Sequence, residues 1–304
     1  MIIRPKLHWL RMLFVWRGSV VSRILPQLII LVTTSAIVVA VNAFWPALLH
    51  DLTPVPFTLL GIALAIFLSF RNSVSYDRFW EGRRLWGSML NDTRSLVRLY
   101  LSALDTDKTA KQQFVYTLIA FVHAVNAQLR MRALTEHAQA LIRPQIKSTI
   151  LQARFKPVMI LSDAALQLAE LRKQGLVCPI LFTAFDRQLS LLNEDLGGCE
   201  RLASTPVPFA YSVILHRTVY LYSFLLPFGL VNTVGLMTPL IVAFVSYTFL
   251  AIEALAEELQ EPFGMEPNDL PLDAMTITIE ATLREMLGEP AYPQPPEPVN
   301  CVLT

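Results

Sequence analysis

Three large apolar side chains in an uncharged segment, Ile62, Ile66 and Phe70, recur every four residues. On a helix this spacing places them along one slowly drifting stripe. Such a stripe can face lipid or a protein core. It can also form a pore constriction, because a ring of apolar side chains gates ion flow by dewetting. One chain cannot build that ring, so a pore requires several copies around an axis, with small residues such as Gly61 and Ala65 allowing helices to approach closely.

Charged and aromatic residues follow directly after this stripe. The segment from Arg71 to Arg84 reads RNSVSYDRFWEGRR, and its Arg71, Ser75 and Arg78 share one helix face. This composition is typical of a helix end that snorkelling side chains and aromatic rings anchor at a membrane surface.

The predicted helix that carries both features is unusually long. No proline occurs between Phe57 and Arg143, and the Asp105-Thr106-Asp107 cluster supplies a stop and an N-cap for the next helix. A helix from 57 to about 104 is roughly 70 Å long. The hydrocarbon layer is only about 30 Å thick, so about half of the helix is predicted to stand in the cytoplasm.

Signatures of enzymes are missing from the sequence. It contains no zinc-protease motif, no P-loop, no nucleophile elbow and no dinucleotide-binding glycine fingerprint. The five histidines are scattered, and Cys178, Cys199 and Cys301 lack the paired spacing of a disulfide framework or a zinc site. We therefore predict no enzyme activity and no cofactor.

The composition indicates a membrane protein. Hydrophobic residues make up 54% of the 304 residues and charged residues 16%, whereas an ordinary soluble domain has about 45–50% and about 25%. The net charge of +1 argues against a nucleic-acid partner, because such proteins concentrate a large positive excess on one face.

The positions of the basic residues predict the topology. All 25 Lys and Arg lie in residues 1–23, 71–217 and 284–304, and none in 24–70 or 218–283. Basic residues stay on the cytoplasmic side of bacterial membranes. Each of the two regions without basic residues is thus predicted to contain a helical hairpin with its tip outside. The result is four transmembrane helices with both termini in the cytoplasm.

The two hairpins divide differently. The first is interrupted at His50-Asp51 and at Pro54 and Pro56, and each half is long enough to cross. The second contains an uncharged run from Thr218 to Ile252. Because two crossings need about 40 residues plus a turn, the second pair must also use flanking residues.

Nothing in the chain alternates as a set of strands, so the predicted fold is all-α. A signal peptide at the N-terminus is disfavoured because the following apolar run is too long and lacks a small-residue cleavage site. The predicted segments are an amphipathic N-terminal segment at the membrane surface over 1–23, a first hairpin over 24–70 whose second helix continues to about 104, a cytoplasmic helical region over 105–204, a second hairpin over 205–257, and a cytoplasmic segment over 258–304 with a proline-rich tail.

Four blocks of the sequence resemble the bestrophin family. The first contains Phe70-Arg71-Asn72, Ser75-Tyr76, Arg78 and Trp80-Glu81-Gly82-Arg83. The later blocks are LLNE at 191–194, TPVPFAY at 205–211, and AEEL at 256–259 followed by PFG at 262–264. They occur in the family's order and at similar spacing, and the resemblance extends to about Glu289. The chain is identified as a bacterial member of this family.

The resemblance implies a homopentameric ion channel with a flared helical body around a central pore. It places an apolar neck at Ile62, Ile66 and Phe70, and a second constriction at the cytoplasmic mouth near Ile180, for which core packing is the alternative. The family motif after the neck implies a collar that fixes the neck helix to its neighbours, formed by Arg71, Asn72, Ser75, Arg78, Glu81, Gly82 and Arg83.

Animal bestrophins are opened by calcium at an acidic run after the PFG block. This chain has only Glu266 and Asp269 there. Calcium prefers six to eight oxygen ligands, including several carboxylates. We therefore interpret the stretch as a solvated loop, with Glu266 and Asp269 as weak candidate ligands.

The ion is predicted from the composition of the neck. Animal necks are richer in Phe, whose positive ring edges favour an anion, whereas this stripe has two Ile and one Phe. Bacterial members are taken to pass monovalent cations. The prediction is a passive Na⁺- or K⁺-permeable channel in the bacterial inner membrane, in contact with lipid. The alternatives are a chloride or anion channel of the same architecture, a membrane-anchored scaffold without ion flux and, last, a membrane enzyme.

Overall fold

The computed structural model describes residues 1–4, 8–16, 18–45, 53–294 and 296–304. The predicted turn at His50-Asp51 lies outside the described residues, as do residues 5–7 and 17 of the N-terminal segment and residue 295 of the tail.

The described residues form eleven α-helices and one 3₁₀ helix, without a β-strand among them. The all-helical fold is thereby confirmed. The helices are α1 (Trp9–Met12), α2 (Val21–Phe44), α3 (Val55–Ala103), α4 (Lys108–Leu129), α5 (Glu136–Ala140), α6 (Pro144–Gln152), α7 (Lys156–Lys173), α8 (Pro179–Ser204), α9 (Phe209–Val234), the 3₁₀ helix (Gly235–Met237), α10 (Thr238–Gln260) and α11 (Leu272–Met286).

The chain divides into two compact units. We call residues 4–79 and 206–261 the apolar unit, because they contain α2, the start of α3, α9 and α10. Residues 1–3, 80–205 and 262–304 form the polar unit. Helix α3 contributes residues to both units as a single unbroken element.

The apolar unit has a core of aliphatic side chains from four helices. Its buried members are Ile24 and Leu31 of α2, Leu64 and Leu68 of α3, Val219, Tyr222 and Leu226 of α9, and Val242, Leu250 and Ala254 of α10. Two glycines allow close helix contact. A Cβ at Gly61 would lie 2.8 Å from the Tyr222 hydroxyl, and a Cβ at Gly229 would lie 2.4 Å from the Phe57 ring.

Three apolar stretches are long enough to cross a membrane by length and composition: Val21–Phe44, Val55–Ala103 and Phe209–Gln260. The last is divided into α9 and α10 by the 3₁₀ turn, which begins at Gly235 with φ +55°. Only 17–22% of the residues in the most apolar part of each stretch are buried within the chain. Their outer surfaces therefore need lipid or further protein to cover them.

The polar unit has an aromatic core. Tyr100 near the end of α3 stacks on Phe114 of α4, with ring centroids 4.1 Å apart, and Phe185 of α8 meets Tyr100 edge-on at 6.2 Å. The N-cap of helix α4 is Asp107, whose carboxylate accepts a hydrogen bond from the Ala110 N–H. The predicted N-cap is thus confirmed, because a carboxylate there satisfies a backbone donor that has no partner within the helix.

Candidate pore face and its collar

Helix α3 presents two different faces within the apolar unit. Leu64, Leu68 and Arg71 are buried, and their spacing of four and three residues marks one face of a helix. The predicted neck residues lie on the opposite face: Ile62 is 56%, Ile66 52% and Phe70 62% exposed. The part of the chain that the structure describes therefore leaves more than half of each of these side chains uncovered.

Exposure alone does not separate a pore face from a lipid face. Ile30 of α2, Leu221 of α9 and Phe244 of α10 are also exposed apolar residues, as expected for helices surrounded by lipid tails. The assignment of Ile62, Ile66 and Phe70 to a neck therefore stays a prediction.

The part of the collar in the apolar unit is built around a buried charge pair. The side chain of Arg71 is 4% exposed, and its Nη1 lies 3.6 Å from Oε1 of Glu253, which is 8% exposed. The two groups therefore attract each other electrostatically, but they are too far apart for a good hydrogen bond. The same Glu253 oxygen lies 2.8 Å from Nδ1 of His216. Arg71 thereby connects α3 to α9 and α10 through a single carboxylate.

Three further collar residues of the apolar unit follow Arg71 on α3. Ser75 is fully buried, Asn72 is partly buried, and Arg78 donates a hydrogen bond from Nε to the carbonyl of Gln260 at 3.0 Å. Arg71 thus contacts α10 at Glu253, and Arg78 contacts it at Gln260, the last residue of the helix. Together they hold α3 against the last two turns of α10.

A cavity of about 440 Å³ opens beside the buried pair within the apolar unit. Its charged lining consists of Arg23, Arg71, Arg217, Glu253 and Glu257, together with His216. Arg23 and Glu257 form an ion pair at 2.7 Å. Three arginines against two glutamates leave a positive excess, which favours an anionic group in the cavity.

The rest of the collar lies in the polar unit. Glu81 accepts a hydrogen bond from Arg201 at 2.7 Å, and the guanidinium of Arg83 lies 5.4 Å from the centroid of the Trp80 ring. Gly82 is buried, and a Cβ there would come within 3.1–3.3 Å of Phe263, Pro262 and Leu202. Glycine is costly inside a helix, so its presence here is explained by this close packing.

Ile180, the predicted aperture residue, lies in the first turn of α8, which begins at Pro179. Its side chain is 85% exposed. Ile180 is therefore not packed in the core of the single chain, and the aperture assignment stays a prediction.

The two weak calcium candidates organise a loop of the polar unit. Asp269 is buried, and its carboxylate accepts a hydrogen bond from the backbone N–H of Glu266 at 2.7 Å. The Asp269 N–H in turn donates to the Glu266 carbonyl at 3.0 Å. Glu266 itself is exposed. The prediction of a solvated loop therefore holds at Glu266 and is wrong at Asp269, because the Asp269 carboxylate turns inward to accept the Glu266 N–H and closes the loop.

A buried acidic group on α8 had no signal in the sequence. Asp195 follows the LLNE block and is 5% exposed. Burial raises the pKa of Asp195 to about 7, with a further contribution from the nearby carboxylate of Asp92, against a lowering hydrogen bond from Ser88. Asp195 therefore holds its proton in the folded protein at pH values where an exposed aspartate has lost it.

We expect the Asp195→Asn variant to change the pH dependence of stability. The unfolded chain releases the Asp195 proton near 3.8 and the folded chain near 7. The folded state then binds more protons over this window, so its stability falls as the pH rises from about 4 to 7, by up to about 1.4 kcal/mol per pH unit. The asparagine variant should lack this loss. The difference in stability between variant and parent should therefore favour the variant more at pH 8 than at pH 5. Thermal unfolding of both proteins at the two pH values measures the difference, and equal differences at both would contradict the buried proton.

Residues 1–285 match the family described as bacterial/fungal bestrophin proteins. The voltage-dependent anion channel-forming protein RSc3414 of Ralstonia nicotianae is 42% identical over 293 residues, which cover 96% of each chain. The voltage-dependent anion channel-forming protein YneE of Escherichia coli K12 is 41% identical with the same coverage. Among solved structures, a bacterial bestrophin homolog from Klebsiella pneumoniae has a TM-score of 0.85 and 44% identity, covering 88% of this chain and 100% of that one.

The names of these relatives contradict the predicted Na⁺ or K⁺ selectivity, because both are called anion channels. The prediction was wrong because it inferred a preference for cations from the smaller number of aromatic rings in the neck. Replacing aromatic ring edges by Ile62 and Ile66 removes one favourable contact for an anion. However, an isoleucine supplies no oxygen and no negative charge, which are the groups that favour a cation in a pore. The composition of the neck therefore gives no reason for cation preference.

Proposed function

We propose that this chain, which belongs to the bacterial/fungal bestrophin family, is the subunit of an anion channel. The observation that carries the proposal is its identity of 41–42%, over 96% of its length, to relatives named as anion channels. The apolar stretches of α2, α3, α9 and α10 support a membrane location. The proposed role is passive: ions move down their gradient through a central pore.

We further propose four membrane crossings, by α2, the first part of α3, α9 and α10. The division of the last apolar stretch at Gly235 supports two crossings there. The absence of Lys and Arg from 24–70 and 218–283 supports an orientation with both termini in the cytoplasm of a bacterial inner membrane. The segments 1–23, 24–70, 105–204, 205–257 and 258–304 remain our proposed division of the chain.

The proposed channel is a homopentamer. One chain leaves Ile62, Ile66 and Phe70 exposed, and only several copies around an axis would turn this stripe into a ring. Ile180, exposed at the start of α8, is the proposed second constriction. Monovalent anions would pass both rings, and dewetting of the apolar neck would limit their flow.

Membrane lipid is the other proposed partner. The cavity lined by Arg23, Arg71 and Arg217 lies between helices of the apolar unit and carries a positive excess. Basic pockets between transmembrane helices bind anionic headgroups. A phospholipid phosphate is therefore a suitable occupant for this cavity.

The reversal potential of purified protein tests the proposed function. In a planar bilayer with a KCl gradient, we expect currents that reverse near the equilibrium potential of chloride. Replacing chloride by the large anion gluconate on one side should shift the reversal and reduce the current carried by anions. A reversal near the potassium potential would overturn the anion proposal, and the absence of current above that of protein-free membranes would overturn the channel itself.

A further inference from the structure

Two histidines and one glutamate converge in the polar unit, from three different helices. Nε2 of His123 on α4 lies 2.7 Å from Oε2 of Glu280 on α11. Nε2 of His137 on α5 lies 2.8 Å from the other oxygen, Oε1, of the same carboxylate. The three potential ligand atoms all lie within 4.8 Å of one another.

These three side chains are the donor types that a divalent transition metal prefers. Zinc is held by imidazole nitrogens and carboxylate oxygens, and two His with one Glu is an established three-ligand set that leaves a fourth position for water. Imidazole nitrogens also suit copper and nickel, whereas calcium and magnesium prefer oxygen ligands. The chemistry of the cluster thus points to the zinc group of metals.

The surroundings preorganise the cluster and leave a route to it. Glu280 is 1% exposed and His123 is largely buried, whereas His137 is half-exposed and opens the cluster to solvent. The N-cap of helix α5 is Thr135, whose hydroxyl accepts a hydrogen bond from the Ala138 N–H and so holds the turn that carries His137.

A neighbouring cation orients the carboxylate without excluding a metal. Nε of Arg284 lies 2.8 Å from Oε1 of Glu280, and hydrogen bonds of this kind orient the ligands of metal sites. Arg284 also pairs with Glu289 at 2.8 Å. Its positive charge is therefore shared between the carboxylates of Glu280 and Glu289, so that the acidic groups of this cluster outnumber its arginine by one.

We propose that His123, His137 and Glu280 form a binding site for a divalent transition metal of the zinc type, which clamps α5 to α4 and α11. Helices α4 and α11 are already joined by other contacts, such as the hydrogen bond from Asn126 to Asp273 at 2.8 Å. Helix α5 has only five residues and packs mainly against α4. It is therefore the element that a bound metal stabilises most.

Metal titration of the full-length protein in detergent tests the site. The Cys178→Ser background is used, because Cys178 is exposed and a thiol is itself a zinc ligand. We expect about one Zn²⁺ or Co²⁺ per chain, and a Co²⁺ spectrum without the near-ultraviolet charge-transfer band of a thiolate ligand. His137→Ala and His123→Ala should each weaken binding by about 100-fold or more, since even second-layer substitutions cost 10–100-fold. His8→Ala, at an exposed histidine outside the cluster, should leave binding unchanged.

A second readout separates a metal clamp from a network of ion pairs. Zinc should slow hydrogen exchange of the backbone amides at 135–140 in the parent and in His8→Ala, but not in His137→Ala. Because His137 is half-exposed, this variant should fold, and its thermal unfolding without metal verifies that. Zinc binding that survives both histidine substitutions would overturn the proposal. So would an absence of binding at micromolar Zn²⁺, which would leave the cluster as ion pairs around Glu280.

Discussion

We expect the Glu253→Ala variant to lose about 3–5 kcal/mol of stability, the cost of breaking a buried ion pair by removal of one partner. Arg71 is 4% exposed, and Glu253 is the carboxylate that faces it at 3.6 Å. Without Glu253 the guanidinium remains buried and loses the one carboxylate that forms an ion pair with it among the described residues. His216, which contacts the same carboxylate, would lose its partner as well, but it is more exposed and can be solvated.

A control for this effect lies one helical turn further along the same helix. Glu257 pairs with Arg23 at 2.7 Å, but their side chains are 55% and 47% exposed. An exposed pair contributes only about 0–1 kcal/mol, so Glu257→Ala should be nearly neutral. Both variants remove a glutamate from α10. The difference between their losses of stability therefore measures the effect of burying the ion pair.

A double variant tests the cause of the loss. Arg71→Met combined with Glu253→Leu replaces the pair by apolar groups of similar volume, which is often neutral or stabilising for a buried ion pair. We expect it to recover most of the stability lost in Glu253→Ala. The midpoints of thermal unfolding in one detergent compare the four proteins. A double variant as unstable as Glu253→Ala would show that the charge of Arg71 is not the source of the cost.

We expect the Ile66→Ala variant to conduct more current than the parent channel. In the proposed neck, Ile66 forms the middle of three apolar rings, and a smaller side chain widens the ring and weakens dewetting. A barrier lowered by about 1.4 kcal/mol raises the rate about tenfold. Single-channel conductance at a fixed salt concentration measures the change, and Ile62→Ala should act in the same direction.

Ile37→Ala on α2 is the matched control for the neck. Ile37 is an exposed isoleucine in another apolar helix, with an exposed fraction close to that of Ile66. If Ile66 lines the pore and Ile37 faces lipid, only the first substitution changes conductance. Equal effects of the two variants, or an unchanged conductance in Ile66→Ala, would remove Ile66 from the neck.

The selectivity prediction failed for a reason that applies to other pores. The apolar side chains of Ile62, Ile66 and Phe70 predict that a constriction formed by them would dewet, because dewetting depends on apolar surface. They do not predict ion selectivity, which depends on the sum of charges along the whole ion path. That sum depends on which charged residues from all copies face the axis, and one chain does not contain this information.

Local properties of the sequence predicted the main elements of this protein. Apolar length indicated the membrane helices, the absence of proline from 57 onward indicated a helix that the structure describes as Val55–Ala103, and Asp107 indicated the start of α4. Charge placement and the blocks around Arg71 and Pro262 led to the bestrophin family. Each of these signals works because its physical cause, such as helix propensity, capping or transfer from water to lipid, acts over neighbouring residues.

The tertiary structure alone decided which polar groups meet. Glu253 is 182 residues from Arg71 in the chain, Glu280 is 157 residues from His123, and Asp195 acquires its raised pKa from burial by distant segments. No spacing rule connects such pairs, because their approach depends on how whole helices pack. The sequence by itself therefore determined the apolar stripe and the long apolar helices of this protein, whereas packing decided the partner of Arg71 and brought His123, His137 and Glu280 to a single point.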